Sequence, residues 1–220
     1  MGYFFIPMLE RLARSRVPLL PGLLNWLFKP TDINWSRVTL IEACTKIVAD
    51  LNPSSLSVLE ISGDRFKDFG FASYRTVHYP EFDICRDKLD ERFDLIIAEQ
   101  IFEHLLRPYQ AAKNVFEMLA PNGVFLISTP FLVKIHNLPL DCSRWTPLGL
   151  KHFLAECGFP MDGIQTWAWG NRACVVANFD GWKKFRPMIH SLKNEEEFPY
   201  HVWALARKNA GDVPASTSNN

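Results

Sequence analysis

The residues best suited to chemistry gather in two stretches of the chain. In Phe93-Asp94-Leu95-Ile96-Ile97-Ala98-Glu99-Gln100-Ile101-Phe102-Glu103-His104, an apolar run gives way to charged and amide groups. The second, His136-Asn137-Leu138-Pro139-Leu140-Asp141-Cys142-Ser143-Arg144-Trp145, belongs to an irregular segment, 132–145, rich in groups that contact ligands. Arginine grips a carboxylate or phosphate through two parallel bonds, so Arg144 either holds such a group or pairs with Asp141 as loop architecture. Trp145 and Phe131 either offer an aromatic face to a ligand or belong to the core. A third stretch, Ser57-Val58-Leu59-Glu60-Ile61-Ser62-Gly63-Asp64, puts an acid inside an apolar strand. That placement is unfavourable unless Glu60 is bonded to backbone amides or to a ligand.

These residues need elements to position them. Leu95 to Ala98 are apolar without alternation, the pattern of a central parallel strand covered on both faces. Ligands collect at the carboxyl end of such strands, although a buried strand followed by an ordinary polar loop reads the same way. Ser36 is placed to cap a helix running to Leu51, with Val38, Ile41, Cys44, Ile47, Val48 and Leu51 on one face. Tyr74 to Tyr79 has strand composition, and Pro80-Glu81-Phe82-Asp83 follows it as a turn. Pro108 opens a helix to Leu119; Pro121-Asn122-Gly123 then turns the chain into another apolar strand, Val124 to Ile127. Strand, helix and strand in that order form a parallel crossover. Thr146 caps a helix with Pro147 at its first position and Gly158 as terminator. Two β-rich runs, Gln165 to Asn178 and His201 to Ala206, match an antiparallel pair finishing the sheet.

The 220 residues suit one α/β domain with an appendage. We divide the chain into an apolar and basic helical appendage (1–35), the main domain (36–208) and a disordered tail (209–220). The appendage interleaves residues such as Phe4, Leu9, Leu20 and Trp26 with Arg11, Arg14 and Arg16. It packs on the domain or a second subunit, or else touches a membrane surface or covers an active site as a lid. Lys plus Arg and Asp plus Glu both total 24, so no overall basic field attracts nucleic acid. Five cysteines, Cys44, Cys85, Cys142, Cys157 and Cys174, form no Cys-x-x-Cys pair or zinc set, which fits a reducing cytosol. They read as small core residues or bystanders. No apolar run reaches the ~20 residues of a membrane span, and no signal-peptide pattern opens the chain, so the expectation is a cytoplasmic protein, with any membrane contact peripheral.

Three pieces together resemble a class I S-adenosylmethionine-dependent methyltransferase: Val58 to Gly63, Phe93 to Leu105, and Leu119-Ala120-Pro121-Asn122-Gly123-Val124-Phe125-Leu126-Ile127-Ser128-Thr129-Pro130. The acid-histidine pair after the fourth strand and the Leu-x-Pro-x-Gly turn before the fifth are the specific parts. The resemblance implies a Rossmann-like, mostly parallel α/β sheet with helices on both faces and S-adenosylmethionine as cofactor. Glu60, Ile61, Ser62 and Gly63 would lie against the methionine portion; Glu81 or Asp83 would hold the ribose hydroxyls; Glu99, Gln100 and Ile101 would border the sulfonium and the acceptor. The family usually carries a glycine-rich loop after the first-strand acid, but here it reads Ser62-Gly63-Asp64-Arg65-Phe66. The span from Glu60 to Asp94 is short for two strand-helix units, so a helix there is reduced or missing.

Residues 136–150 resemble the acceptor loop of methyltransferases found with polysaccharide and sugar-modification enzymes. By that resemblance the acceptor is a small molecule or saccharide, methylated at oxygen, with Phe131, Arg144 and Trp145 against it. A hydroxyl acceptor must lose a proton, and histidine has a suitable pKa. His136, with Asp141 as orienting partner or alternative base, and His104 are the catalytic candidates; His78, His152, His190 and His201 have no comparable context. No metal is expected. The competing reading is a non-catalytic interaction or membrane-associated protein on a degenerate methyltransferase fold, whose partner meets the appendage. A nicotinamide dehydrogenase is disfavoured because no Gly-x-Gly-x-x-Gly follows the first strand.

Overall fold

The computed structural model describes residues 29–211. Within them a six-stranded sheet runs in the order β2-β1-β3-β4-β6-β5. The strands are β1 (Ser57–Ile61), β2 (Ser73–Val77), β3 (Phe93–Glu99), β4 (Leu119–Pro130), β5 (Ile164–Trp169) and β6 (His201–Arg207). The first four are parallel, and β6 runs antiparallel to both β4 and β5. This is the expected Rossmann-like sheet with an antiparallel pair at its end.

Helices α1 (Val38–Asp50), α2 (Pro108–Met118), α3 (Pro147–Glu156) and α4 (Arg172–Ala177) cover the sheet. The covering explains why the central strands lack alternation. Ile96 and Ala98 of β3, with Phe125 and Ile127 of β4, pack with residues of α2 and α3. Leu95 and Ile97, with Val124 and Leu126, pack on the opposite face with residues of α1 and α4. Strand geometry still sends successive side chains to opposite faces; both faces are apolar because both are buried.

Several elements differ from the sequence reading. Ser36 does not cap α1: it is buried in a 3-10 turn (Trp35–Arg37), and Arg37 stands at the N-cap without a side-chain cap bond. Its hydroxyl is instead engaged by Tyr200. The strand Phe93–Glu99 is the third of the chain and not the fourth, because no strand or α-helix forms between β2 and β3 among the described residues. No α-helix joins β1 to β2 either, as the short span implied. The run Gln165 to Asn178 is a strand only to Trp169; the Asn171 side chain then accepts the Cys174 N–H at 2.8 Å and starts α4. β4 begins at Leu119, ahead of the expected turn. Residues 1–28 and 212–220, which hold most of the expected appendage and tail, lie outside the described residues. No helix among the described residues is long and apolar enough to cross a membrane.

α3 matches its reading closely. Thr146 Oγ1 accepts the Gly149 N–H at 3.0 Å; Leu150, Phe153, Leu154 and Cys157 are buried, and Gly158 ends the helix at a φ of 112°. Losing the cap leaves one helix-start N–H unsatisfied. Thr146→Ala should therefore lower stability by about 1 kcal/mol in urea denaturation, with Thr146→Ser close to the parent.

Candidate active site

Four acidic side chains mark the carboxyl edge of the sheet and the loops above it. Glu60, at the end of β1, is 1% exposed. Its Oε1 accepts the Arg65 N–H at 3.1 Å, while Oε2 accepts the Phe66 N–H at 3.1 Å and the Tyr74 hydroxyl at 2.7 Å. The acid is thus satisfied chiefly by backbone amides, and it folds the short loop after β1 around itself. A Cβ on Gly63 would lie 2.4 Å from Glu60 Oε1, so any other residue there displaces the Glu60 carboxylate from its donors. Ser62 turns the chain with a φ of 55°, its N–H donating to Val77 O at 2.7 Å.

Glu99 closes β3 and receives Arg65 Nε at 2.7 Å as well as the Arg37 guanidinium. Gln100 then turns with a φ of 59°; its N–H donates to Ser128 O at 2.9 Å and its side-chain amide meets Ser128 Oγ at 3.3 Å. Ile101 leads into a 3-10 turn (Phe102–His104) that presents Glu103 and His104.

The loop 132–145 is fastened to that turn. The Cys142 N–H donates to Glu103 O at 2.7 Å, and His104 Nδ1 faces the Leu140 carbonyl. Within the loop, Asp141 accepts the His136 N–H at 2.9 Å and both terminal nitrogens of Arg144, one of them at 2.6 Å. His136 Nδ1 stands 3.2 Å from Asp141 Oδ2, off the direction of a hydrogen bond. Burial opposes ionisation of Asp141, but Arg144 and the His136 N–H outweigh it and hold the carboxyl below its ordinary range. Arg144 therefore serves the loop's architecture. The His104 and His136 rings meet edge to face, 5.2 Å between centroids.

A cavity of about 470 Å³ lies beside these groups, within the size range of small-ligand sites. Arg37, Arg65, Gln100, Glu103, His104, His136 and His201 are among its lining residues. Of the sequence candidates, the fold brings Gln100, His104 and His136 to this cavity. Glu60, Ile61, Ser62, Gly63, Glu99 and Ile101 sit on the adjoining strand ends without lining it. Glu81 is exposed, while Asp83 accepts the Cys85 N–H at 3.0 Å within its own turn. Phe131 packs against the core, as does Trp145, whose ring lies 5.0 Å from that of Phe153.

Sequence reasoning missed several cavity residues, among them Arg37, Arg65, Trp182 and His201. Arg37 and Arg65 have no local signature, since their shared partner Glu99 is distant in sequence. His201 was set aside for want of context; it opens β6 opposite Pro130 and is 3% exposed, with neither ring nitrogen hydrogen-bonded among the described residues. Burial, and then Arg37 and His136, hold its pKa well below the ordinary value, so it is neutral. Glu103 is 1% exposed, and neither carboxylate oxygen is hydrogen-bonded among the described residues; burial pushes its pKa up to about 8. The cysteines are all free, and burial pushes Cys44, Cys157 and Cys174 up to about 12, which suits small core residues.

Residues 34–170 match a family described as a methyltransferase domain, a span covering more than half of the chain. The chain belongs to that family. A probable S-adenosylmethionine-dependent methyltransferase from Mycolicibacterium smegmatis is 34% identical over 80 residues, covering 34% of this chain and 29% of the relative's length. Among solved structures, a SAM-dependent methyltransferase from Archaeoglobus fulgidus superposes with a TM-score of 0.52 at 14% identity, covering 86% of this chain and 99% of that one. Burkholderia thailandensis 1,6-didemethyltoxoflavin-N1-methyltransferase, solved with its substrate and S-adenosylhomocysteine, gives 0.52 at 15% identity, covering 86% and 83%. The fold of this methyltransferase domain is therefore that of class I enzymes.

Two outcomes follow from the buried groups. Gly63→Ala should destabilise the domain by about 1–3 kcal/mol in urea denaturation, and the double variant with Glu60→Ala should lose less than the sum of the two single changes. His201 is neutral when folded and protonates more readily when unfolded, so the unfolded chain binds more protons. Its contribution is intact above the ordinary histidine value near 6.5 and declines as pH falls below it. Stability against pH, measured from 7.5 down to 5, should fall by up to about 1.4 kcal/mol per unit more steeply in the parent than in His201→Gln.

Proposed function

We propose that this chain transfers a methyl group from S-adenosylmethionine to an oxygen of a small molecule or saccharide. The observation that carries the reading is the fastening of the 132–145 loop to the Glu103-His104 turn, which puts His104 and His136 on one cavity beside the end of β3. When bound, S-adenosylmethionine supplies an electrophilic methyl carbon on a sulfonium, and positioning then provides much of the acceleration.

The residues present suit that cofactor. The loop after β1 is drawn in so tightly that a Cβ at position 63 has no room, which lets Glu60 to Gly63 border the methionine portion. Arg37 and Arg65, steadied by Glu99, bring positive charge to the cavity for a carboxylate. Gln100 and Ile101 follow directly and border the reacting centre. Glu81, exposed beyond β2, is the better ribose ligand, because Asp83 already serves its own turn.

At the acceptor pole His136 removes the hydroxyl proton, with Asp141 holding its backbone N–H and standing beside its ring, and Arg144 fixing Asp141. His104 is held by Leu140 O and supports the neighbouring ring. Trp182 lines the same cavity and is 47% exposed, an aromatic face suited to a sugar ring. Phe131 and Trp145 back the acceptor side from the core edge.

Calorimetry on the full chain should show micromolar binding of S-adenosylmethionine and S-adenosylhomocysteine; no heat with either at millimolar ligand overturns the reading. With an acceptor in hand, Asp141→Asn and His136→Ala should each lower kcat by about 10²- to 10⁴-fold while leaving S-adenosylhomocysteine affinity within a few-fold of the parent.

A further inference from the structure

We propose that Glu103, His104 and His136 form a binding site for a divalent transition-metal ion such as Zn²⁺ at the acceptor end of the cavity. One donor atom from each residue lies within 4.8 Å of the other two, and all three residues line the cavity. Two imidazoles and one carboxylate are a donor set that Zn²⁺ and its first-row neighbours take, leaving positions for water or a ligand oxygen.

Three features distinguish this group from a chance cluster. Glu103 is 1% exposed, yet neither of its oxygens is hydrogen-bonded among the described residues. Every other buried acid at this edge has donors: Glu60 has three, Glu99 two arginines, and Asp141 an arginine and a backbone amide. A buried carboxyl group without hydrogen-bond partners is unfavourable, and a cation that takes the place of its proton satisfies it directly.

The histidines are also oriented as metal ligands are. His104 Nδ1 faces the Leu140 carbonyl, an acceptor, so the proton sits on Nδ1 and the Nε2 lone pair is free. That Nε2 is 3.6 Å from Glu103 Oε1. Two donors about 2.0–2.1 Å from a tetrahedral ion lie roughly 3.4 Å apart, so this separation already suits a shared ion. His136 Nδ1 stands 3.2 Å from Asp141 Oδ2 without yet forming a hydrogen bond; a small rotation of the ring would complete that bond and leave Nε2 for the ion. A ligating histidine backed by a carbonyl or carboxylate on its other nitrogen is the usual arrangement, and Arg144 fixes the backing carboxylate.

The site shares residues with the proposed acceptor pole, and its consequence for catalysis rests on that reading: the open positions of the ion face the cavity and would take an acceptor oxygen, in place of a free His136. The ion itself does not depend on the cofactor.

The untagged full chain, stripped with a chelator and desalted, should be titrated with ZnCl₂ by calorimetry and with CoCl₂ by visible absorption. The expected result is one equivalent bound at micromolar Kd or tighter, with a d–d spectrum reporting nitrogen ligands. Glu103→Gln, nearly isosteric, and His136→Ala should each weaken binding at least 10-fold. Asp141→Asn should weaken it by about 10- to 100-fold through loss of ring orientation. His152→Ala, at an exposed position, should bind as the parent. Circular dichroism identifies any variant that fails to fold, and Glu103→Gln alone then decides. The proposal is overturned if no saturable one-to-one binding occurs below millimolar metal, or if Glu103→Gln binds as tightly as the parent. Titration of S-adenosylhomocysteine into the stripped chain separates the two readings. S-adenosylhomocysteine binding without metal binding removes only the ion site; metal binding without S-adenosylhomocysteine binding removes only the methyltransferase reading.

Discussion

A carboxylate taken out of water loses several kcal/mol of hydration, and the carboxyl edge of this sheet is built around meeting that demand. Glu60 collects two backbone N–H groups and a phenol, and in doing so shapes the loop after β1. Glu99 draws Arg37 from the start of α1 and Arg65 from the same loop to the end of β3. Asp141 gathers Arg144 and the His136 backbone, which gives an otherwise irregular loop a fixed form. The shape of the cavity is a by-product of these three acts of neutralisation. Glu103 stands apart because the same edge offers its oxygens no hydrogen bond among the described residues.

The rest of the fold makes such an edge available. Two apolar layers clamp the central strands, so the strand ends are held rigidly while the loops above them carry the polar groups. The chain reaches this with less structure than the family resemblance implies. β1, β2 and β3 are joined by turns, and the sheet stops at β2. The cavity lies on the other side, lined in part by Val133 and His136 of the 132–145 loop and by His201 of β6. Histidines and acids concentrate on the side of the 132–145 loop, where Glu103 and His201 are buried and His104 and His136 half-buried.

The unusual loop after β1 has a physical explanation in Glu60. A glycine-rich loop brings backbone close to a ligand by omitting side chains; here a bulky residue, Phe66, is turned fully inward while its N–H binds Glu60. Only position 63 must remain bare, because there the chain passes against the Glu60 carboxylate. One glycine then does locally what several do in the usual pattern, and the acid determines which one.

The sequence by itself determined the α/β class, the buried two-faced strands, the capped helix after Thr146, the antiparallel finish and the partnered state of Glu60. Each follows from local periodicity, capping chemistry or the energetics of a buried charge, none of which needs a distant residue. The pair at the end of β3 was also legible, since polar groups after an apolar parallel strand mark its ligand edge. Tertiary structure alone decided which groups face one another. Arg37 and Arg65 meet on Glu99, and His201 enters the cavity from a strand far along the chain. Sequence patterns are blind to these pairings because they depend on how separate elements converge at one sheet edge. The same convergence brings His136 to the Glu103-His104 pair.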